Sequence, residues 1–125
     1  MPQILIIEDS AYQRHRVGRA LKSEGYDLLT AVNGFEGLEM VATNTPDCIV
    51  LDLIMPEMSG IKVLQTLQDQ GADMPKVVLT ADIQEDTRRQ CLHLGASAFI
   101  TKPLREDELV NTVRQALDEA DRGGV

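Results

Sequence analysis

Residues 48–60 read CIVLDLIMPEMSG and join a wholly apolar run to an acid, a proline and a polar turn. Strands that are covered on both faces of a sheet need no polar alternation, so residues 48–51 are typical of a buried central strand. Asp52 follows this strand at its carboxyl end, where open α/β sheets place their ligand crevices. Pro56 prevents the strand from continuing because it lacks an N–H. We therefore expect the Asp52 carboxylate to be presented rather than buried.

Apolar runs alternate with amphipathic segments along the rest of the chain. Ser10 and Ser59 precede two of the amphipathic segments and are candidate N-caps. The predicted strands are residues 3–7, 26–31, 48–51, 76–80 and 97–101. The predicted helices are residues 10–24, 35–44, 82–94 and 105–119, with one more between Ser59 and Gly71. Strands that alternate with helices predict an α/β, doubly wound fold with a five-stranded parallel sheet and five helices.

Composition limits the classes of protein to which this chain can belong. Its 125 residues, 43% of them hydrophobic, suffice for one core, so we expect one domain over residues 1–125 with a frayed tail from about residue 120 and no output domain. Twenty acidic and 12 basic residues give a net charge of −8, which argues against direct DNA binding. No apolar run approaches the ~20 residues of a membrane helix and no leader is evident, so we expect a cytoplasmic protein. Cys48 and Cys91 are typical of reduced core thiols.

Five chemically active side chains follow the predicted strands. The carboxyl ends of parallel strands meet at one edge of a sheet, so we expect Glu8, Asp9, Asp52, Thr80 and Lys102 to share a pocket. Two carboxylates ~4 Å apart repel each other by ~4 kcal/mol at an effective dielectric constant near 20, so the cluster needs a cation. Mg²⁺ takes one or two carboxylates, keeps several waters and binds phosphate oxygens. The cluster therefore predicts a magnesium site that receives a phosphoryl group.

Each member of the cluster fits one part of phosphoryl transfer. An aspartate can act as the nucleophile and form an acyl phosphate. The transfer depends on charge neutralisation and on in-line positioning. The Lys102 ammonium can pair with one phosphoryl oxygen, and the Thr80 hydroxyl can donate to another. Taken singly, each residue also has a structural explanation: Asp9 as a helix cap, Thr80 as a strand residue and Lys102 as a solvated lysine.

Four segments together resemble the receiver domain of two-component response regulators, in particular its stand-alone, chemotaxis-type (CheY-like) members. These segments are Glu8-Asp9 and residues 52–60 (DLIMPEMSG), 78–81 (VLTA) and 99–103 (FITKP), and the resemblance covers essentially the whole chain. It implies a flavodoxin-like fold with strand order 2-1-3-4-5. Hydrophobic periodicity alone does not determine this order.

The resemblance also implies roles for individual residues. Asp52 would accept a phosphoryl group from a histidine kinase, and Thr80 and Lys102 would contact that group. Mg²⁺, or Mn²⁺ as an alternative, would be held by Glu8, Asp9, Asp52 and the Ile54 backbone carbonyl. The Lys102–Pro103 peptide bond would be cis. The protein would then be a signalling domain that catalyses only its own phosphorylation and dephosphorylation.

In this family, phosphorylation acts through a hydroxyl and an aromatic side chain. The Thr80 hydroxyl would move inward and Phe99 would follow, which changes the surface of the fourth helix, fifth strand and fifth helix and regulates a downstream protein. Ser97 and Ala98 stand where members that dimerise through this surface carry acids, so we expect a monomer or weak dimer. The first helix carries five basic or titratable residues, which indicate either a solvated face or a docking surface for a kinase or phosphotransfer domain: Arg14, His15, Arg16, Arg19 and Lys22.

Other functions fit the same segments less well. An aspartyl-nucleophile phosphohydrolase would need an acid two residues after Asp52, where this chain has Ile54. A flavodoxin-like cofactor site would need a phosphate-binding loop where Glu8 and Asp9 would repel phosphate. A phosphorelay intermediate or phosphate sink would use the same site and stays open as an alternative. Ile54 and Asp82 occupy positions that tune phosphoryl lifetime in the family, and an apolar Ile54 is expected to hinder water.

Overall fold

Five strands and five helices alternate along the chain in a computed structural model, which describes residues 1–123. The strands are β1 (Gln3–Ile7), β2 (Asp27–Ala31), β3 (Cys48–Asp52), β4 (Lys76–Thr80) and β5 (Ala98–Thr101). The helices are α1 (Ala11–Lys22), α2 (Gly34–Asn44), α3 (Gly60–Asp69), α4 (Glu85–His93) and α5 (Glu106–Gly123). Within residues 1–123, no helix combines the length and the hydropathy needed to cross a membrane.

The strands form one parallel sheet in the order β2-β1-β3-β4-β5, which confirms the predicted fold and strand order. Alternate residues of β1 point to opposite faces, so Ile4 and Ile6 join the core beneath α1 and α5. Leu5 and Ile7 join the second core, beneath α2 and α3. All five residues of both β3 and β4 are buried, as expected of central strands that helices cover on both faces.

Helix ends differ from the sequence prediction by more than one residue at three places. α1 ends at Lys22 rather than at residue 24, and Gly25 then adopts a left-handed φ of +89°. α4 begins at Glu85 rather than at Asp82, because the Asp82 carboxylate accepts from the Gln84 N–H and the Thr87 hydroxyl, which holds Asp82 in the loop before the helix. α5 continues to Gly123, so residues 120–123 of the tail predicted to fray are helical, since no helix breaker occurs between Glu106 and Gly123. Residues 124 and 125 lie outside the described residues.

Gly60 allows α3 to begin directly beneath the end of β3. A Cβ atom at this position would lie 2.5 Å from the Asp52 carbonyl oxygen and 2.7 Å from the Leu53 Cα. The Gly60 N–H donates to the Leu53 carbonyl over 2.8 Å, and the Ser59 hydroxyl caps the helix by accepting from the Lys62 N–H at 3.3 Å. The predicted capping role of Ser59 is confirmed, and the start of α3 fixes the backbone that carries Asp52.

Candidate functional site

Two acids follow β1 and lie in different environments. Glu8 is buried, whereas Asp9 is exposed. The Glu8 Oε2 atom accepts a hydrogen bond from the Ser10 N–H at 3.2 Å, and the Ser10 hydroxyl caps α1 by accepting from the Gln13 N–H at 3.3 Å. The short segment between β1 and α1 therefore fixes Glu8 in the sheet edge and leaves Asp9 at its surface.

The Asp52 carboxylate is buried, so the prediction that it would be presented to solvent is wrong. The residue is 6% exposed. Its Oδ1 atom accepts from the Ile54 N–H at 3.3 Å, and its Oδ2 atom accepts from the Lys102 ammonium at 3.2 Å. The second of these hydrogen bonds comes from a residue 50 positions away in the sequence.

Lys102 bridges the two buried acids. Its Nζ atom lies 3.3 Å from Glu8 Oε1 and 3.2 Å from Asp52 Oδ2. Burial acts to lower the pKa of this ammonium, but the charges and hydrogen bonds of Asp52 and Glu8 outweigh burial and raise the pKa. The Lys102 N–H donates to the Thr80 carbonyl over 2.7 Å, and the Lys102–Pro103 peptide bond is cis, as the resemblance implies.

Three carboxylates are close enough to hold one cation. Ligand oxygens of Glu8, Asp9 and Asp52 lie within 4.8 Å of one another. Burial, together with the negative charge of Asp52, raises the pKa of Glu8 to about 7, so the ionised form of Glu8 costs free energy in this pocket. An all-oxygen donor set beside a sheet edge suits Mg²⁺, whose charge would relieve this penalty. The residues present therefore fit the predicted ion.

Thr80 is the last residue of β4 and is fully buried. In the parallel register Asp52 pairs with Leu79, so Thr80 lies one residue beyond the level of Asp52 at the carboxyl edge of the sheet. The Thr80 hydroxyl oxygen accepts from the Asp82 N–H at 3.1 Å. Phe99, on the neighbouring strand β5, is half-buried against the core beneath α2 and α3.

Comparison with known proteins identifies the family. A family model described as the response regulator receiver domain matches residues 4–114. The chain belongs to this family. The receiver domain is 37% identical over 115 residues to the response regulator MprA of Mycobacterium leprae (strain TN), a match that covers 92% of this chain and 50% of that protein. It thus spans about half the length of the curated relatives it matches.

Solved structures of receiver domains share its fold. A CheY-like response regulator receiver domain protein from Methanospirillum hungatei JF-1 is 25% identical, with a match that covers 98% of each chain and a TM-score of 0.93. The signal receiver domain of a signal transduction histidine kinase from Syntrophus aciditrophicus is 31% identical, with a TM-score of 0.87 over 95% of this chain and 92% of that one. The predicted family is confirmed. The roles of the individual site residues stay predictions.

The loop after Asp52 contains a backbone feature that the sequence does not reveal. Glu57 adopts a left-handed φ of +71°, a conformation that costs a non-glycine residue energy. The Met58 N–H donates to the Pro56 carbonyl over 2.8 Å across it. This tight turn brings the chain of the receiver domain from Asp52 to the cap of α3 within a few residues.

Arg14 supports the acidic edge, a role that the sequence did not predict. Its Nη1 atom donates to the Glu8 carbonyl at 2.9 Å and to the Asp9 carbonyl at 3.4 Å. The sequence alone places this arginine only on the basic face of α1. Its position four residues after Ser10, the N-cap of α1, is the signal that could have indicated a contact with the preceding loop.

Proposed function

We propose that this receiver domain is a phosphorylatable signalling switch in which Asp52 accepts the phosphoryl group. The observation that supports this most strongly is the environment of the carboxylate. It lies at the end of a central strand between the Lys102 ammonium and the Ile54 N–H, with Glu8 and Asp9 beside it. A lone structural aspartate would have no need of two further acids and a lysine in the same pocket.

In the proposed reaction, an Asp52 carboxylate oxygen attacks the phosphorus of the donor. A new O–P bond forms while the bond between phosphorus and the donor's leaving atom breaks, and the leaving group departs with the electron pair. Lys102 exchanges part of its contact with Asp52 for a phosphoryl oxygen, and the Thr80 hydroxyl donates to another. These contacts neutralise and orient the group, which is most of what phosphoryl transfer requires.

Glu8, Asp9 and Asp52 are the residues that would hold Mg²⁺, with the Ile54 carbonyl as a further ligand and Mn²⁺ as an alternative ion. The bound ion supplies positive charge to the phosphoryl oxygens. Without it, Lys102 is the cation that compensates Glu8 and Asp52. The same ammonium thus stabilises the metal-free pocket and later contacts the phosphoryl group.

The output of the switch is a change at the surface formed by α4, β5 and α5. Thr80 and Phe99 lie on neighbouring strands, with Thr80 paired to Thr101 and Phe99 to Val78. Phe99 is only half-buried and can change its exposure, whereas Thr80 is already enclosed. When the Thr80 hydroxyl moves toward the phosphoryl group, Phe99 would therefore change its exposure, and a downstream protein would bind to the altered surface.

The phosphoryl donor is a histidine kinase or a phosphotransfer domain that docks on α1. This helix carries four Lys or Arg residues and no acid, in a chain whose net charge is −8. A groove of about 490 Å³ runs between α1 and the edge strand β2. Its basic lining would attract an acidic partner surface and increase the association rate.

A phosphorelay intermediate is the second candidate function. It is favoured by the 31% identity to a receiver domain that belongs to a signal transduction histidine kinase. Incubating phosphorylated protein with candidate phosphotransfer domains distinguishes the two functions. Rapid loss of the phosphoryl group to a histidine supports the relay, whereas persistence of the phosphoryl group on the receiver supports the switch.

Phosphorylation by acetyl phosphate with Mg²⁺ tests the main proposal. We expect stoichiometric incorporation in the wild type, none in Asp52→Asn, and wild-type incorporation in Asp69→Asn, which changes an exposed acid at the end of α3. Chelating the metal with EDTA should abolish the reaction. Equal incorporation in Asp52→Asn and the wild type would contradict the proposal.

A further inference from the structure

We propose that Arg14 is a positioning residue for the metal site, which fixes the backbone of Asp9 and so directs the Asp9 carboxylate toward Glu8 and Asp52. The inference deepens the proposed function and rests on its assignment of these three acids as metal ligands. It arises from one guanidinium that contacts two consecutive carbonyl groups in the segment between β1 and α1.

The two carbonyl contacts of Arg14 hold the backbone on both sides of the Asp9 Cα atom. The Nη1 atom donates to the Glu8 carbonyl at 2.9 Å and to the Asp9 carbonyl at 3.4 Å. The Glu8 carbonyl belongs to the peptide plane that precedes the Asp9 Cα atom, and the Asp9 carbonyl belongs to the plane that follows it. A residue has only two soft backbone dihedral angles, so holding both planes fixes the direction of its side chain. Arg14 therefore sets the direction in which Asp9 presents its carboxylate.

Asp9 has fewer other contacts than the two acids beside it. Glu8 is buried, and its Oε2 atom accepts from the Ser10 N–H at 3.2 Å. Asp52 is the last residue of a central strand whose five residues are all buried. Asp9 is exposed, and within residues 1–123 the contact with Arg14 is the one side-chain hydrogen bond in which Asp9 takes part. Loss of Arg14 should therefore affect Asp9 more than the other two acids.

Arg14 lies where a helix disfavours a cation. The N-terminus of a helix carries partial positive charge, which favours acids there and disfavours basic residues. Arg14 is the fourth residue of α1, and the first turn of this helix contains no acid. Within residues 1–123, its guanidinium forms no ion pair with a carboxylate. Neither the helix nor an ion pair accounts for a cation at this position, whereas the two carbonyl contacts do.

The charge and the hydrogen bonds of Arg14 have opposite effects on a bound cation. A positive charge near the three acids repels Mg²⁺, so removing the charge alone would strengthen Mg²⁺ binding. Removing the hydrogen bonds would free the Asp9 backbone, and Mg²⁺ would then have to order it on binding, at a cost in affinity. A positioning role therefore predicts weaker Mg²⁺ binding when Arg14 is replaced.

Calorimetric titration with Mg²⁺ alone tests this role without a phosphoryl donor. We expect Arg14→Met to bind Mg²⁺ about 3- to 10-fold more weakly than the wild type, somewhat less than the full ordering of one residue's backbone would cost. Arg14→Lys keeps an N–H donor for the same carbonyls and should bind to within about 2-fold of the wild type. Arg88→Met removes an exposed arginine from α4 and should bind like the wild type. Urea unfolding in EDTA checks that each variant is folded under these conditions.

Two further measurements separate a positioning role from a general structural one. In an Asp9→Asn background, Arg14→Met should weaken Mg²⁺ binding by less than about 2-fold, because the carboxylate that Arg14 directs is already gone. In phosphorylation by phosphoramidate, Arg14→Met should raise the half-saturating Mg²⁺ concentration by about 3- to 10-fold, a larger change than in the maximal rate.

Mg²⁺ binding by Arg14→Met that equals or exceeds that of the wild type overturns the inference. Equal losses in Arg14→Lys and Arg14→Met overturn it too, and so does an undiminished loss in the Asp9→Asn background. A wild type that binds no Mg²⁺ has the same consequence. If the wild type binds Mg²⁺ but is not phosphorylated at Asp52, the proposed function fails, and the titration distinguishes this outcome because it uses no phosphoryl donor.

Discussion

Replacing Glu8 with glutamine should stabilise the metal-free protein, and increasingly so as the pH rises. The wild-type carboxyl has a pKa near 4.5 when unfolded and about 7 in the fold. A raised folded pKa means that the acid's contribution to stability is complete below pH 4.5 and is lost as the pH rises through 7. Glutamine does not titrate, so the variant does not lose this stability as the pH rises.

The structure sets the size of the effect. A change of pKa from 4.5 to about 7 corresponds to a loss of about 3 kcal/mol in the free energy of unfolding at high pH, if the interactions of the other groups stay the same. Lys102, which lies 3.3 Å from Glu8, loses one of its two partners in the variant and reduces the gain. We therefore expect the free energy of unfolding of Glu8→Gln to rise relative to the wild type by about 1 to 2 kcal/mol between about pH 5 and pH 8.

Urea unfolding in EDTA at several pH values between about 5 and 8 measures this difference. Glu39→Gln is the control, because Glu39 is an exposed acid on α2. Mg²⁺ should reverse the order at about pH 8, since an ion at about 100 times its dissociation constant stabilises the wild type by about 2.7 kcal/mol. Wild type and Glu8→Gln curves that run parallel across this pH range would refute the electrostatic explanation of the pocket.

Four further substitutions test the scaffold and the reaction. Gly18→Ala should stabilise the fold by about 0.5 to 1 kcal/mol, because the new Cβ would lie 3.6 and 3.8 Å from its nearest side-chain atoms. Gly37→Ala should destabilise the fold, although alanine is again the better helix former, because the new Cβ would lie 2.9 Å from Ile7 Cγ1. Thermal unfolding compares the two variants. Equal changes in melting temperature would contradict this packing argument. Ile54→Asn should speed hydrolysis of the phosphoryl group by about 3- to 10-fold. The wild-type side chain is apolar and 64% exposed beside Asp52, where it is expected to hinder water. An unchanged rate of hydrolysis would count against this role of Ile54. Lys102→Met should bind Mg²⁺ more tightly, because the competing ammonium is gone, but it should accept the phosphoryl group at least about 10-fold more slowly. Calorimetry measures the Mg²⁺ affinity, and a phosphorylation assay measures the rate. Weaker Mg²⁺ binding than in the wild type would contradict the first expectation.

Much of the fold could be predicted because its signals are local. The apolar runs of β3 and β4, the caps at Ser10 and Ser59 and the spacing of the helices require no knowledge of distant contacts. The convergence of Glu8 and Asp52 also follows, since parallel strands bring their carboxyl ends to one edge. The strand order came from the resemblance, because hydrophobic periodicity does not determine which strands are neighbours.

The sequence could not indicate features that depend on contacts between distant residues. The sequence places Asp52 and Lys102 in one pocket, but it does not show that Asp52 is buried there or that its Oδ2 atom accepts from the Lys102 ammonium. The left-handed φ of Glu57 is imposed by the turn between Pro56 and Met58, although nothing in a glutamate predicts it. Asp82 was predicted to start a helix, whereas its side-chain bonds make it part of the preceding loop.

Locating the acyl phosphate provides the sharpest test of the role proposed for Asp52. Borohydride reduces an acyl phosphate to an alcohol, so a phosphorylated aspartate becomes homoserine, which peptide mass spectrometry identifies by position. After treatment with acetyl phosphate and Mg²⁺, we predict homoserine at Asp52 and at no other aspartate. Homoserine at Asp9 or elsewhere, or its absence from Asp52 in protein that has incorporated phosphate, would contradict this role.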